Sequence, residues 1–266
     1  MAKRIGIIGG TGVYRGLPLV EKEEKLVLTP YGEVNVQLGS FHGKAVAFLQ
    51  RHGQGHAVPP HQVNYRANIY ALKSLGVRQV IATTAVGSLK SDVQPGSFVL
   101  CNQQLDFTKN RHYTFFDGDR QPGVVHIDFT HPYCPRLRQR ILTAARKARI
   151  GLTDGGTYIC AEGPRFETAA EVRLFSQLGG SVVGMTGAPE TALAREAGIC
   201  YVGISLVTNF GAGLMNSPLT HAEVVEAMDK LGEQLNVLLA AGLVEVDETS
   251  NCTCNDNWHL LTVEGE

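Results

Sequence analysis

Short apolar runs and stretches of helical spacing take turns along this chain. Lys3 to Ile8 reads as a strand, and Lys44 to Leu49 (KAVAFL) as another. Apolar residues recur at helical spacing from Val63 to Leu75 and stop at Gly76, after which Gln79 to Thr83 (QVIAT) reads as a buried strand. Cys134 to Ala148, rich in Arg and Leu, reads as a helix, and so does Thr168 to Leu178. Ser181 to Met185 reads as a strand, and Pro189 to Ala197 as a helix with proline in its first turn. Ile199 to Val207 is a further buried strand, and His221 to Ala241 a long amphipathic helix. This alternation predicts an α/β fold: a single domain with a largely parallel, mixed central β-sheet flanked by helices. No repeat or linker interrupts it. Residues 1–244 are therefore read as one domain, and 245–266 as a C-terminal tail with a Cys-x-Cys pair.

The polar residues gather at the ends of the strands. Gly9-Gly10-Thr11, Arg51-His52, Thr84-Ala85, Met185-Thr186 and Thr208-Asn209 all fall where a predicted strand stops. Ligands of open α/β sheets bind at that edge. Turn chemistry explains any one of these alone, since Gly, Thr and Asn are common turn residues. Five in succession point to a site.

Composition narrows the partners. The chain has 266 residues, 44% hydrophobic and 18% charged, with a net charge of −1. It is globular, and it has no basic field for nucleic acid or for a membrane surface. The apolar run after the basic start MAKR is too short for a signal segment, and no stretch is long enough to cross a membrane. A cytoplasmic location is expected. Six cysteines in a chain of this length are no disulfide framework. Cys101, Cys160 and Cys200 lie in or beside apolar runs and read as buried thiols, and Cys134 carries no signal. Cys252 and Cys254 are too close for a zinc knuckle, with no second pair in the sequence; they read as a redox-active disulfide or as exposed thiols.

Gly9 to Gly12 follows a strand, so its backbone N–H groups and the Thr11 hydroxyl suit an anion. A dinucleotide fingerprint, and with it an NAD-binding oxidoreductase, is the remote alternative. It needs glycine at position 15, which is Arg15, and Gly16 comes one place late. Arg51 offers a guanidinium to an oxyanion and His52 a second donor. His52, His56 and His61 fit no helix face and bring no acidic cluster, so no metal is expected there. Thr84, Ala85 and Thr186 add donors, the last just before a helix. Phe166 suits stacking on a flat base, and Glu167 an edge hydrogen bond. Asn209, at the end of an apolar strand, offers an amide that both donates and accepts. His221 opens a long helix, where exposed histidine is common.

The motifs GGTG, RHG, PPHQVNYRAN, TTAVGSL, GPRFETAAE and MTGAPE, with the Thr208-Asn209 strand end, resemble the purine nucleoside phosphorylase and methylthioadenosine phosphorylase family, in its trimeric branch. The likeness runs in order from about Ile5 to Leu243, and HQVNYRANIYALKSLG and HIDFTHPYC place it nearest the methylthioadenosine phosphorylase subgroup. It implies phosphorolysis without metal or cofactor: nucleoside plus inorganic phosphate, the co-substrate, gives base and ribose 1-phosphate. By the same likeness Gly10, Thr11, Arg51, His52, Thr84, Ala85 and Thr186 hold phosphate, Met185 packs on the ribose, Phe166 lies against the base, and Asn209 contacts its O6/N7 edge. His126 falls where the family lends a residue to its neighbour's site, implying a homotrimer or a hexamer of two trimers.

Four departures bear on the substrate. The family's methylthioadenosine enzymes carry aspartates at the places of Asn209 and Gly211, a small polar residue at Glu167 and an apolar one at His221. This chain resembles the 6-oxopurine enzymes at Glu167, Asn209 and His221. Glu167 can accept from the N1–H of hypoxanthine or guanine, whereas it would face the bare N1 of adenine. His221 suits a 5′-hydroxyl rather than a methylthio group. The expectation is a 6-oxopurine nucleoside phosphorylase acting on inosine and guanosine in purine salvage, with Asn209, Glu167 and His52 as its catalytic residues. The alternative is a methylthioinosine or methylthioadenosine phosphorylase.

Overall fold

The first strand, β1 (Ile5–Gly9), is buried at every position, and it lies inside the sheet for that reason. The computed structural model of the chain describes residues 4–10, 17–118, 123–215, 221–246 and 252–263. β1 pairs in parallel with β4 (Lys44–Gln50) on one side and β5 (Gln79–Ser88) on the other. Neighbouring residues of these strands enter different cores. Ile7, Val46, Phe48 and Ile81 pack in one cluster, and Ile8, Ala47, Leu49, Val80 and Ala82 in another. Side chains of a strand alternate between faces, so a sheet covered on both sides reads as unbroken apolar runs.

α1 (Tyr65–Ser74) and α4 (Glu190–Glu196) supply one covering layer, and α2 (Pro135–Ala148) and α5 (His221–Glu245) the other. α1 starts where Asn64 Oδ1 accepts from the Ala67 amide at 3.1 Å. α2 has proline at its first position, as expected where the amide would go unpaired.

β5 is the spine of the sheet. Its first half pairs with β1, its last two residues pair antiparallel with β10 (Gly180–Gly184), and β11 (Cys200–Phe210) runs beside its whole length. β9 (Thr157–Cys160) and β7 (Gln103–Asp106) extend the sheet beyond β10, while β6 (Phe98–Leu100) and β8 (Leu152–Asp154) extend it beyond β11. Six of the ten described strand pairings are parallel, so the sheet is mixed with a parallel majority, as expected.

The short strands β6 to β9, of three or four residues each, are absent from the sequence reading, and three further features differ from it or exceed it. β5 runs five residues beyond Thr83, to Ser88, because β10 and β11 take over its pairing where β1 stops; Thr84 and Ala85 therefore lie within a strand. β2 (Val20–Thr29) and β3 (Gly32–Phe41) form an antiparallel hairpin at the sheet edge that sequence reasoning missed. Seven consecutive residues of β2, Val20 to Leu26, are exposed, so its EKEEK run has no buried face to betray a strand. In the C-terminal segment, a 3-10 helix over Thr253–Leu260 lies against the core. There Trp258 sits 3.9 Å from both the Lys73 ammonium and the Arg78 guanidinium, and Leu261 and Val263 are buried.

Candidate active site

A cavity of about 410 Å³ opens where β4, β5, β10 and β11 end. The fold brings to it Gly10, Arg51, His52, Thr84, Ala85, Phe166, Glu167, Met185, Thr186, Asn209 and Gly211, all singled out from the sequence. Thr11 lies outside the described residues. The backbone of His221 opens α5, but its side chain is not among those described. His126 is exposed and does not line the cavity of its own chain.

Arg51 is fully buried and tightly held. Its Nε and Nη2 donate to the two carboxylate oxygens of Glu190 at 2.6 and 2.8 Å, and Nη1 donates to the Thr83 carbonyl at 2.8 Å. A guanidinium has five N–H donors, so two are left for an anion in the cavity. Burial works against its charge, but Glu190 more than offsets this and its pKa is raised. Gly10 makes room for it, since a Cβ there would stand 2.9 Å from Nη1 and 2.8 Å from the Thr83 carbonyl oxygen. The Gly10 amide donates to Thr83 Oγ1 at 3.2 Å.

His52 Nδ1 lies 2.8 Å from the Val58 carbonyl and must donate to it. In neutral His52 the other ring nitrogen is therefore an acceptor, suited to a protonated phosphate oxygen; it donates only as the imidazolium. This refines the expectation of a simple second donor. Thr84 Oγ1 is 3.3 Å from Ser205 Oγ, and the Thr186 amide donates to the Tyr158 hydroxyl at 3.4 Å.

Thr208 and Asn209 both line the cavity, although neighbours in a strand point to opposite faces. The register explains it: Val207 pairs with Val86 and Asn209 with Gly87, leaving Thr208 as an extra residue in a β-bulge. Asn209 Nδ2 donates to the Phe210 carbonyl at 2.8 Å, and its Oδ1 accepts from Thr208 Oγ1 at 2.7 Å. Those bonds fix the amide's orientation and leave one N–H and one lone pair. Glu167 stands just before α3 (Ala169–Gln177), and burial raises its pKa above the usual carboxylate value. Met185 is set by Gly163, where a Cβ would come within 2.5 Å of its sulfur. Phe166 is 38% exposed, which leaves a ring face open to the cavity mouth.

Sequence reasoning missed Glu190 and Tyr201. Glu190 is fully buried at the start of α4, and the Tyr201 hydroxyl donates to it at 2.6 Å. Burial, and next the Glu190 charge, push the Tyr201 pKa far up, so it stays a donor. A carboxylate within the apolar stretch GAPETALA was the available signal.

Residues 4–243 match the profile of the Phosphorylase superfamily. A 6-oxopurine nucleoside phosphorylase of Pyrococcus furiosus is 50% identical over 257 residues, spanning 95% of this chain and 97% of that protein. An S-methyl-5′-thioadenosine phosphorylase of the same organism is 46% identical over 255 residues, spanning 95% and 96%. A crystal structure of a methylthioadenosine phosphorylase from an Antarctic soil metagenomic library superposes with a TM-score of 0.87 at 36% identity, over 96% of this chain and 90% of that one.

Proposed function

The chain belongs to the phosphorylase superfamily, and from that premise we propose that its cavity carries out phosphorolysis of 6-oxopurine nucleosides. Inosine or guanosine plus inorganic phosphate gives the free base and ribose 1-phosphate. The enzyme is a pentosyltransferase of purine salvage. The observation that carries this reading is the convergence of two sets of groups on one cavity: Arg51, His52, Thr84, Ala85 and Thr186 for an anion, and Glu167 and Asn209 for a purine edge.

In this reading, phosphate lies against the two remaining guanidinium N–H groups of Arg51, the His52 imidazole, the Thr84 and Thr186 hydroxyls, the Ala85 amide and the backbone of Gly10. Thr11 joins them. Met185 packs on the ribose and Phe166 on the base. As the glycosidic bond breaks, positive charge grows at C1′ and negative charge on the purine. The phosphate faces the first charge, and Asn209 hydrogen-bonds the second at N7 or O6. Glu167 accepts from N1–H. These are preorganised dipoles and charges, with reactants held in register. No side chain needs to bond covalently to substrate, and phosphate is co-substrate rather than cofactor.

Adenine would meet the same groups badly. Its N1 lone pair would face the Glu167 carboxylate. Buried mismatches of this kind reject a substrate by about 10⁴-fold or more. His221 is proposed to hydrogen-bond the 5′-hydroxyl, and Gly211 to line the base end of the cavity, where a Cβ would press on Val172 and the Ser88 carbonyl.

The proposed assembly is a homotrimer, or a hexamer of two trimers, in which exposed His126 completes a neighbour's site. A cytoplasmic setting is proposed as well; no helix among the described residues is long and apolar enough to cross a membrane.

The test is a product balance with inosine. Hypoxanthine and ribose 1-phosphate should appear in equal amounts and only when phosphate is present. Release of free ribose, or base release at the same rate without phosphate, would overturn the reading.

A further inference from the structure

Four of the six cysteines, from three separate stretches of the sequence, meet at one point: the sulfurs of Cys134, Cys200, Cys252 and Cys254 all lie within 4.8 Å of one another. Cys134 and Cys252 are 3.5 Å apart. We propose that these four thiols form a closed tetrathiolate site for one zinc-class metal ion, which fastens the C-terminal segment to the start of β11.

The donor set and spacing both point this way. Zinc bound by four thiolates at about 2.3 Å is tetrahedral, which sets its sulfurs roughly 3.8 Å apart. Four soft sulfur donors with no carboxylate or imidazole among them select zinc over hard cations. Binding makes four metal–sulfur bonds, displaces the ion's water, and releases the four thiol protons to solvent. The resulting negative charge has nearby partners. The Leu137 amide donates to Cys134 Sγ at 3.4 Å, at the N-terminus of α2, and Asn255 Nδ2 donates to Cys200 Sγ at 3.9 Å. Bonds of this kind orient ligands and stabilise the thiolate form. Cys134, Cys200 and Cys254 are buried and Cys252 is half-buried, which leaves a route for the ion.

Four protein ligands leave no open coordination position, so the ion is structural rather than catalytic. Its place in the fold says what it holds. Cys200 is the first residue of β11, the strand that ends in the Thr208-Asn209 bulge, and Cys134 caps α2. Cys252 and Cys254 come from the segment that carries Trp258 onto Lys73 and Arg78. The sequence shows only the Cys252-Cys254 half, because the other two ligands are single cysteines that the fold brings in. Cys101 and Cys160 stand elsewhere, Cys101 Sγ 3.7 Å from Ser205 Oγ and Cys160 Sγ 3.6 Å from the Ala188 carbonyl.

The full chain is reduced, stripped of metal and titrated anaerobically with Co(II), then with Zn(II). The expected result is one Co(II) per chain, with intense thiolate-to-cobalt absorption and the visible bands of a tetrahedral site, displaced by one equivalent of Zn(II). Zn(II) should also raise the Tm. Cys252→Ser, at the half-buried position, should weaken binding by more than about 100-fold, the upper range for losing only an outer partner of a ligand. Cys101→Ala should leave the cobalt spectrum unchanged. A reduced wild-type chain that shows no thiolate-to-cobalt band would overturn the proposal. So would finding these sulfurs joined as disulfides that stay closed in the folded chain under strong reductant.

Discussion

Asn209 shows how much one residue depends on its neighbours. Its type and place at a strand end are plain in the sequence; the bulge that turns it and Thr208 toward one cavity is not, because register is a property of two strands. Its amide is already oriented by Thr208 and the Phe210 carbonyl, so in the role proposed for it no reorganisation is needed to meet the leaving purine. Asn209→Ala should lower kcat/KM for inosine by about 10²-fold, the scale of losing one preorganised partner; a rate within threefold of wild type would exclude that role. Arg51 was equally legible as a residue and equally incomplete. Its partner Glu190 is 139 positions away, and no local pattern joins them. Removing one member of a buried ion pair costs about 3–5 kcal/mol. Glu190→Gln, which keeps the shape and loses the charge, should therefore lower Tm. It should also raise KM for phosphate by about tenfold while leaving KM for the nucleoside within about threefold, since a loosened guanidinium affects the anion first. Equal effects on both constants would mean that Glu190 serves only the fold.

Among the elements, the amphipathic helices and the five longer apolar strands were legible, and the β2–β3 hairpin and the short strands β6 to β9 were not. α1, α2 and α4 fell within a residue or two of expectation, whereas VEKEEKLVLT offers water nearly every side chain and forms a strand only because β3 pairs with it. α3 follows directly on the loop that carries Phe166 and Glu167 to the cavity. Thr168 Oγ1 accepts from the Glu171 amide at 3.1 Å, and Glu171 accepts from the Thr168 amide at 2.7 Å, a reciprocal cap one residue after Glu167. Thr168→Ala should cost about 1 kcal/mol of stability, read as a lower denaturant midpoint, and should raise nucleoside KM more than phosphate KM. Hydrogen bonds from Arg165 first, then from the Thr168 amide, hold the Glu171 carboxyl down at about 2 against an ordinary 4.5. A depressed carboxylate stabilises the fold fully above its ordinary value and loses that contribution as pH falls toward the folded one. The stability of this cap should therefore fade between about pH 4.5 and about pH 2. Glu171→Gln should remove that part of the acid dependence.

The whole molecule was legible as a covered α/β sheet with its cavity at the strand ends, because continuous apolar runs leave few other architectures. What joins distant parts was not: the four-cysteine cluster and the Trp258 clasp both depend on where the chain's end returns. His126 raises the question at the next level of organisation, since it is exposed and does not line its own chain's cavity. If it completes a neighbour's site, His126→Ala should raise nucleoside KM by about tenfold, a loss of about 1.4 kcal/mol. Mixed oligomers of His126→Ala and Asn209→Ala chains should then be more active than the sum of the two alone. Mixtures that merely average would place His126 outside the reaction. Whether Glu167 and Asn209 read a 6-oxopurine is decided by kcat/KM at saturating phosphate for inosine, guanosine, adenosine, methylthioinosine and methylthioadenosine. Inosine or guanosine should be fastest, and both adenine nucleosides slower by about 10⁴-fold or more. A preference for methylthioadenosine would contradict that reading.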